Sequence, residues 1–121
     1  MEIKFTAHCV SWYAAAALIH DVRVAACENG LIDANERLID VVDKSSRHAI
    51  VISTSGKLLG CARLTTKGQI DRIVILYHSS HDRIKTALIE ILSDYAQITR
   101  MEVPIVIDRI NGDDDSMKLA A

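Results

Sequence analysis

The sequence has few aromatic residues and almost no net charge. Its 121 residues include one Phe, one Trp and three Tyr, and 14 Lys and Arg stand against 16 Asp and Glu, a net charge of −2. The scarcity of aromatics argues against a stacking platform for single-stranded nucleic acid. The near balance of charge argues against a basic surface for a duplex, so no nucleic-acid partner is predicted.

Long apolar runs and paired cysteines are also missing. The longest apolar candidate, residues 13–19, ends at His20, well short of the roughly 18 residues that suggest a membrane span. The first five residues include Glu2 and have no apolar core, so they do not read as a secretory signal. The three cysteines form no C-x-x-C pair, which favours reduced thiols. We therefore expect a cytoplasmic protein with no membrane partner.

What the chain does contain is the pattern of one globular domain, since half of its residues are apolar and a quarter are charged. We predict this domain over residues 1–110, followed by a polar tail over 111–121. Alternation and helical periodicity predict these elements: a strand over 2–7, a helix over 12–27 capped by Ser11, an acidic stretch with a helical turn over 31–43, strands over 48–53, 58–64 and 69–76, a helix over 84–95 preceded by a capping box of Ser79 and Asp82, and a strand over 103–107.

The order of these elements predicts the fold class. Strands in a run, followed by a helix and a returning strand, indicate an α+β fold. We expect a mixed, mostly antiparallel sheet with helices on both of its faces. The passage from the strand at 69–76 through the second helix to the strand at 103–107 predicts a right-handed parallel crossover.

Several segments follow, in the same order, the motifs of one enzyme family. They are residues 22–31, 36–40, 43–48, 56–64 (G-x-x-x-G-x-A-R-L), 69–76 and 87–90. Together they resemble the GNAT superfamily of acyl-CoA N-acyltransferases over about residues 20–107. The resemblance implies an acyl-CoA N-acyltransferase-like fold that lacks the C-terminal strands. It also implies transfer of an acyl group from acetyl-CoA to an amine of a small molecule or peptide.

The resemblance further implies where acetyl-CoA binds. The strand backbone at Ile73, Val74 and Ile75 is implied to pair with the pantetheine arm and to stabilise the oxyanion. The next helix start is implied to hold the pyrophosphate. The family has glycines there, but this chain has none over 80–85. Side chains would replace them, namely Ser80, His81, Arg83, Lys85 and Thr86.

Two interpretations of this loop stay open. The side chains either take over phosphate binding, or the segment is a solvated helix start in a domain that no longer binds coenzyme A. The competing functional hypothesis is therefore a catalytically inactive binding or dimerisation module.

The resemblance transfers no general acid, and the residues suggest only two general bases. Glu28 and Asp71 are the carboxylates that a base acting through water would need. Their alternative interpretations are a carboxylate at a helix end and a strand residue that faces solvent. His78 and His81 have no carboxylate or thiol at ligand spacing, so no metal site is predicted.

The missing closing strands have a structural consequence. The strand at 103–107 would form an apolar sheet edge without a partner, which soluble proteins rarely tolerate. We therefore predict a homodimer in which a partner chain pairs with this edge or covers it.

Overall fold

The computed structural model describes residues 3–33, 37–76 and 78–108. The predicted tail over 111–121 lies outside the described residues. The described residues form the following elements: β1 (Phe5–Ser11), α1 (Trp12–Glu28), α2 (Val42–Ser45), β2 (Arg47–Ser53), β3 (Leu58–Leu64), β4 (Gln69–Ile75), a 3-10 turn (His78–Ser80), α3 (His81–Ile98) and β5 (Ile105–Val106).

The five strands form one sheet in chain order, β1-β2-β3-β4-β5. The first four strands pair antiparallel, and β5 pairs parallel with β4. The predictions of a mixed, mostly antiparallel sheet and of a parallel crossover through the last helix are therefore confirmed. The last strand is shorter than predicted, since β5 comprises two residues of the expected 103–107.

Helices cover both faces of the sheet, as predicted. Alternate side chains of a strand point to opposite faces, and in β2 the buried Val51 packs in the cluster that contains α3, whereas Ile50 packs in the cluster that contains α1. Of the apolar residues of α3, Ile84, Leu88 and Leu92 are each 0% exposed, and Ala87, Ile91 and Tyr95 pack against the same core while partly buried. Among the residues that the structure describes, no helix is long and apolar enough to cross a membrane.

The two long helices begin differently. Ser11 caps α1, and its hydroxyl accepts a hydrogen bond from the N–H of Ala14, as predicted. The capping box predicted from Ser79 and Asp82 is wrong, because Ser80 is the N-cap of α3 and makes no side-chain capping bond. The first N–H groups of α3 therefore have no side-chain cap from this position.

A β-bulge interrupts β4. Cys61 pairs with Val74 and Arg63 pairs with Asp71, so two steps along β3 correspond to three along β4. The extra residue is Arg72, whose φ of 52° lies in the left-handed region. A bulge bends its strand and re-aims the side chains on either side of it. In this sheet the bulge lies between the part of β4 that pairs with β5 and the part that does not.

Candidate functional site

The candidate site lies where the pairing between β4 and β5 ends. The two strands pair only at Gln69 with Ile105 and at Ile70 with Val106. The N–H groups of Ile105 and Ile107 donate to the carbonyls of Gly68 and Ile70, at 2.9 and 2.7 Å. β4 then continues through residues 71–75, and no strand in the described part of the chain pairs with its outer side. We call residues 71–75 the open edge of β4.

The register decides which amides face this edge. The N–H of Leu76 donates to the carbonyl of Leu59 at 2.8 Å, so the backbone of Leu76 points toward β3. Backbone groups of successive strand residues point to opposite sides. The backbone N–H and C=O groups of Ile73 and Ile75 therefore point away from β3, toward the open edge. Those of Val74 point toward β3. Of the three residues predicted to bind pantetheine, two have backbone groups that no strand of the described residues pairs with.

α3 begins at His81, five residues after Leu76. Ser80 is buried, and His81 and Asp82 are exposed in the first turn. A helix N-terminus attracts anions because its first N–H groups and the helix dipole both favour negative charge. The carboxylate of Asp82 opposes this attraction.

The two basic side chains predicted at this helix start do not converge. Arg83 donates to the carbonyl of Ile3 at 3.3 Å, and its guanidinium carbon lies 5.0 Å from the ring centroid of Phe5. Lys85 forms an ion pair with Asp108, just beyond β5. Residues two apart on a helix point to different sides, so these two cations do not meet at one phosphate. Their expected common role at the pyrophosphate does not follow from the geometry.

A group of ion pairs lies behind the open edge, on the face of the sheet that α1 covers. We call it the ion cluster; its members are Arg23, Arg63, Arg72, Asp40, Asp43 and Asp71. Three cations balance three anions, so the cluster is neutral when all its members are ionised.

Asp43 stands at the centre of the ion cluster. Arg23 donates to both of its oxygens at 2.9 Å, and Arg63 Nη1 donates to Asp43 Oδ1 at 3.2 Å. The side chains of Arg23 and Asp43 are 1% and 0% exposed. Charges buried this deeply are tolerated only when they are paired and hydrogen-bonded. Asp43 therefore ties α1 to the sheet.

The ion cluster also fixes the bulge of β4. Arg72 Nη2 donates to Asp40 Oδ2 at 3.2 Å, and its Nη1 donates to the carbonyl of Arg37 at 2.7 Å. Arg63 Nη1 donates to Asp40 Oδ1 at 2.8 Å. The segment that leads into α2 is thereby held against β3 and β4 at the point where the open edge begins.

The pKa directions follow from this pairing. Burial acts to raise the pKa of Asp43, but the hydrogen bond from Arg23 and a backbone N–H outweigh it, and the pKa lies below its usual value. Burial acts to lower the pKa of Arg63, but the carboxylates of Asp71, Asp40 and Asp43 outweigh it, and the pKa lies above its usual value. Both groups are therefore ionised at neutral pH. Burial raises the pKa of Cys61 to about 11, so this thiol is protonated and not a nucleophile.

His48 is a buried imidazole beside the ion cluster. Its Nε2 lies 2.9 Å from the carbonyl oxygen of Asp43, and its ring centroid lies 5.3 Å from that of Trp12. Burial lowers the pKa of His48, so the ring is neutral at pH 7 and Nε2 carries the proton that it donates to the carbonyl. His48 thus attaches the α2 segment to β2.

The two predicted bases, Asp71 and Glu28, lie in different environments. Both oxygens of Asp71 accept hydrogen bonds from Arg63, at 2.8 and 2.9 Å, and the Asp71 side chain is only 20% exposed. Asp71 is therefore an ion-pair partner, and not the solvent-facing residue of its alternative interpretation. Glu28 is exposed at the last residue of α1, and in the described part of the chain it belongs to no ion pair.

Sequence reasoning did not find the ion cluster. One signal was present, because Arg63 stands in a strand between apolar neighbours, where an arginine needs a buried partner. The partner was not identifiable, since Asp43 is 20 residues from both Arg23 and Arg63 in the sequence. Only the pairing of β3 with β2 and β4 brings these groups together.

Comparison of the chain with protein-family models, with curated proteins and with solved structures gives no match. The function of the protein is therefore inferred from the geometry of the open edge and from the motif resemblance.

Proposed function

We propose that the protein is a GNAT-type N-acyltransferase that transfers an acyl group from acetyl-CoA to an amine of a small molecule or peptide. The observation that carries this proposal is the open edge of β4, which follows directly on the parallel pairing with β5. Pantetheine contains amide groups, and such groups pair with a free strand edge as an added strand would. Ile73 and Ile75 supply the N–H and C=O groups for that pairing.

The reaction is attack of the free amine on the thioester carbon. An N–H of the open edge, from Ile73 or Ile75, donates to the thioester oxygen and stabilises the negative charge that develops there. The carbon–nitrogen bond forms, the carbon–sulfur bond breaks, and coenzyme A leaves as a thiolate that takes up a proton from solvent, in balance with the proton that the amine loses. Glu28 is the carboxylate assigned to accept the amine proton through water. Asp71 is not assigned as a base. Both of its oxygens accept hydrogen bonds from Arg63, so its role is to hold Arg63 in position.

The pyrophosphate is assigned to the first turn of α3. The free N–H groups after Ser80 and the positive end of an 18-residue helix favour it there. His81 adds a ring nitrogen nearby, and Thr86 lies one turn further along, in the groove that Phe5 and Arg83 also line. The contribution of Arg83 is small, since its guanidinium lies over the ring of Phe5 and donates to the carbonyl of Ile3.

Replacing Ile75 with proline tests the open edge. Proline removes the N–H that points into the cleft but breaks no bond of the β3–β4 ladder, so it is compatible with an edge position. We expect acetyl-CoA to bind the wild type with a micromolar Kd in a calorimetric titration. Loss of one hydrogen bond to a bound amide predicts an affinity about tenfold weaker for Ile75→Pro than for Ile75→Ala.

Ile75→Ala is the matched control, because it loses the same buried side chain and keeps the N–H. Both variants are compared at temperatures where circular dichroism shows them folded. Equal affinities of the two variants would contradict the assignment of the Ile75 amide. Millimolar binding to the wild type, or none, would contradict the enzyme proposal as a whole.

The alternative function is a binding or dimerisation module without acyltransferase activity. The glycine-free start of α3 favours it, as does the carboxylate of Asp82 within the first turn. The involvement of Lys85 with Asp108 also favours it. In this alternative the sheet is retained for its surfaces, and no acetyl-CoA binds.

The homodimer predicted from the last strand remains a prediction under either function. β5 lies at one end of the sheet, and Val103 and Ile105 are 90% and 53% exposed.

A further inference from the structure

The opposite end of the sheet carries a second edge. The carbonyl of Lys4 accepts a hydrogen bond from the N–H of Thr54 at 3.0 Å, so the backbone of Lys4 points toward β2. By alternation, the backbone groups of Thr6 and His8 also point toward β2. Those of Phe5, Ala7 and Cys9 point outward, and no strand in the described ranges pairs with them.

The outer edge of β1 is suited to pairing with a strand of another chain. β1 has seven residues in unbroken register with β2, from Phe5 opposite Ser53 to Ser11 opposite Arg47. It contains neither a bulge nor a proline, two of the devices that protect an exposed edge. β5, at the other end, has two residues. The longer and more regular of the two sheet edges is therefore β1.

A shallow groove of about 340 Å³ runs between this edge and α3; it is lined by Phe5, Asp82, Arg83, Thr86, Ala87 and Glu90. Its charges are arranged so that the surface complements itself. Arg83 and Glu90 are two helical turns apart, with the small residues Thr86 and Ala87 midway between them. If two copies of α3 lie antiparallel about a twofold axis near those small residues, Arg83 of each copy faces Glu90 of the other.

We propose that β1 and the adjoining face of α3 form a twofold interface with a second copy of this chain. The two β1 strands pair antiparallel across the axis near Ala7, which joins the two sheets into one ten-stranded sheet. The two Arg83–Glu90 pairs fix the register. Both contacts are isologous, as a twofold interface requires. The open edge of β4 lies three strands away from β1, so pantetheine bound there does not touch the interface, whereas the first turn of α3 adjoins both the groove and the assigned pyrophosphate site.

Charge reversal on α3 tests the interface. We expect light scattering after size exclusion to show a dimer at micromolar concentration for the full chain. Arg83→Glu and Glu90→Arg each place two like-charge pairs across the axis, and each is expected to raise the dimer Kd about 10–100-fold. The double variant R83E/E90R exchanges the charges and is expected to return the Kd to within about threefold of the wild type.

Ala7→Pro tests the strand pairing. Proline at this position removes an outward N–H that takes no part in the β1–β2 ladder, and Ala7→Gly is the control that keeps it. We expect Ala7→Pro to be monomeric and Ala7→Gly to remain dimeric. If Ala7→Pro does not fold, the two charge-reversal variants and the double variant R83E/E90R test the interface without it.

Three results would overturn the proposal. One is a monomeric wild type at a concentration of 100 μM or so, far above the expected Kd. Another is failure of R83E/E90R to restore the dimer. The third is a dimer that survives both single reversals and is lost in Ile105→Lys, since that result would place the contact on β5.

Discussion

Replacing Asp43 with alanine is expected to destabilise the protein by about 3–5 kcal/mol, because it leaves the buried Arg23 without its carboxylate and removes one partner of Arg63. Asp43 is 0% exposed and accepts hydrogen bonds from both guanidinium groups. A buried charge without a partner keeps its full desolvation cost. The free energy of unfolding, from urea titrations of both proteins at pH 7, measures the effect.

Asp40→Ala is the matched control within the ion cluster. Asp40 bonds to Arg63 and Arg72, but its side chain is 26% exposed, so water compensates part of the loss and we expect a cost of about 1 kcal/mol. Replacing Arg23 and Asp43 together by apolar residues of similar volume removes both charges and is expected to recover most of the stability. Equal costs for Asp43→Ala and Asp40→Ala would contradict a central role for Asp43.

Gly60→Ala is expected to lower the free energy of unfolding by about 1–3 kcal/mol or more, because the added methyl group overpacks a close contact. A Cβ at Gly60 would lie 2.6 Å from the carbonyl oxygen of Val74 and 3.4 Å from Cγ2 of Ile84. The nearer atom belongs to the backbone, so β4 itself must move to relieve the contact. This movement falls on the strand that carries the open edge, and we expect acetyl-CoA affinity to fall with stability.

Gly56→Ala separates this effect from the general cost of removing a glycine. Gly56 has a φ of 88° and nothing within 4 Å of an added Cβ, so its replacement adds only backbone strain of about 1–2 kcal/mol. We expect it to leave acetyl-CoA affinity unchanged. Thermal unfolding and calorimetric titration of the two variants provide the comparison. An affinity reduced equally in both would show that β4 does not move as described.

Arg72 shows how the ion cluster and the open edge are connected. A non-glycine residue in the left-handed region costs about 1–3 kcal/mol and persists only where its surroundings determine it. Here the bonds from Arg72 to Asp40 and to the carbonyl of Arg37 hold it. The bulge changes which residues of β4 turn their amides outward, so that those of Ile73 and Ile75 face the open edge.

The elements that depend on local pattern were predictable from the sequence. Ser11 caps α1 as expected, β3 has the predicted bounds, and Ile84, Leu88 and Leu92 of α3 are buried. These features follow from side chains within a few residues of each other. The α+β sheet with its parallel crossover also follows from the order of the elements.

The features that depend on contacts between distant segments were not predictable. The bulge at Arg72 has no signal in the sequence, since neither glycine nor a break in apolar pattern marks it. The divergence of Arg83 and Lys85 depends on where Phe5 and Asp108 lie. The same holds for Asp71, whose pairing with Arg63 is set by the register of β3 and β4.

Hydrogen exchange of the β4 amides, followed by NMR, tests most directly whether the open edge receives acetyl-CoA. In the protein alone, the amide of Val74 is expected to exchange slowly, because it bonds to β3, and those of Ile73 and Ile75 to exchange fast. Saturating acetyl-CoA is expected to slow Ile73 and Ile75 by about tenfold or more and to leave Val74 unchanged. Slow exchange of Ile73 and Ile75 before the cofactor is added, or unchanged rates at saturation, would contradict the proposed cleft.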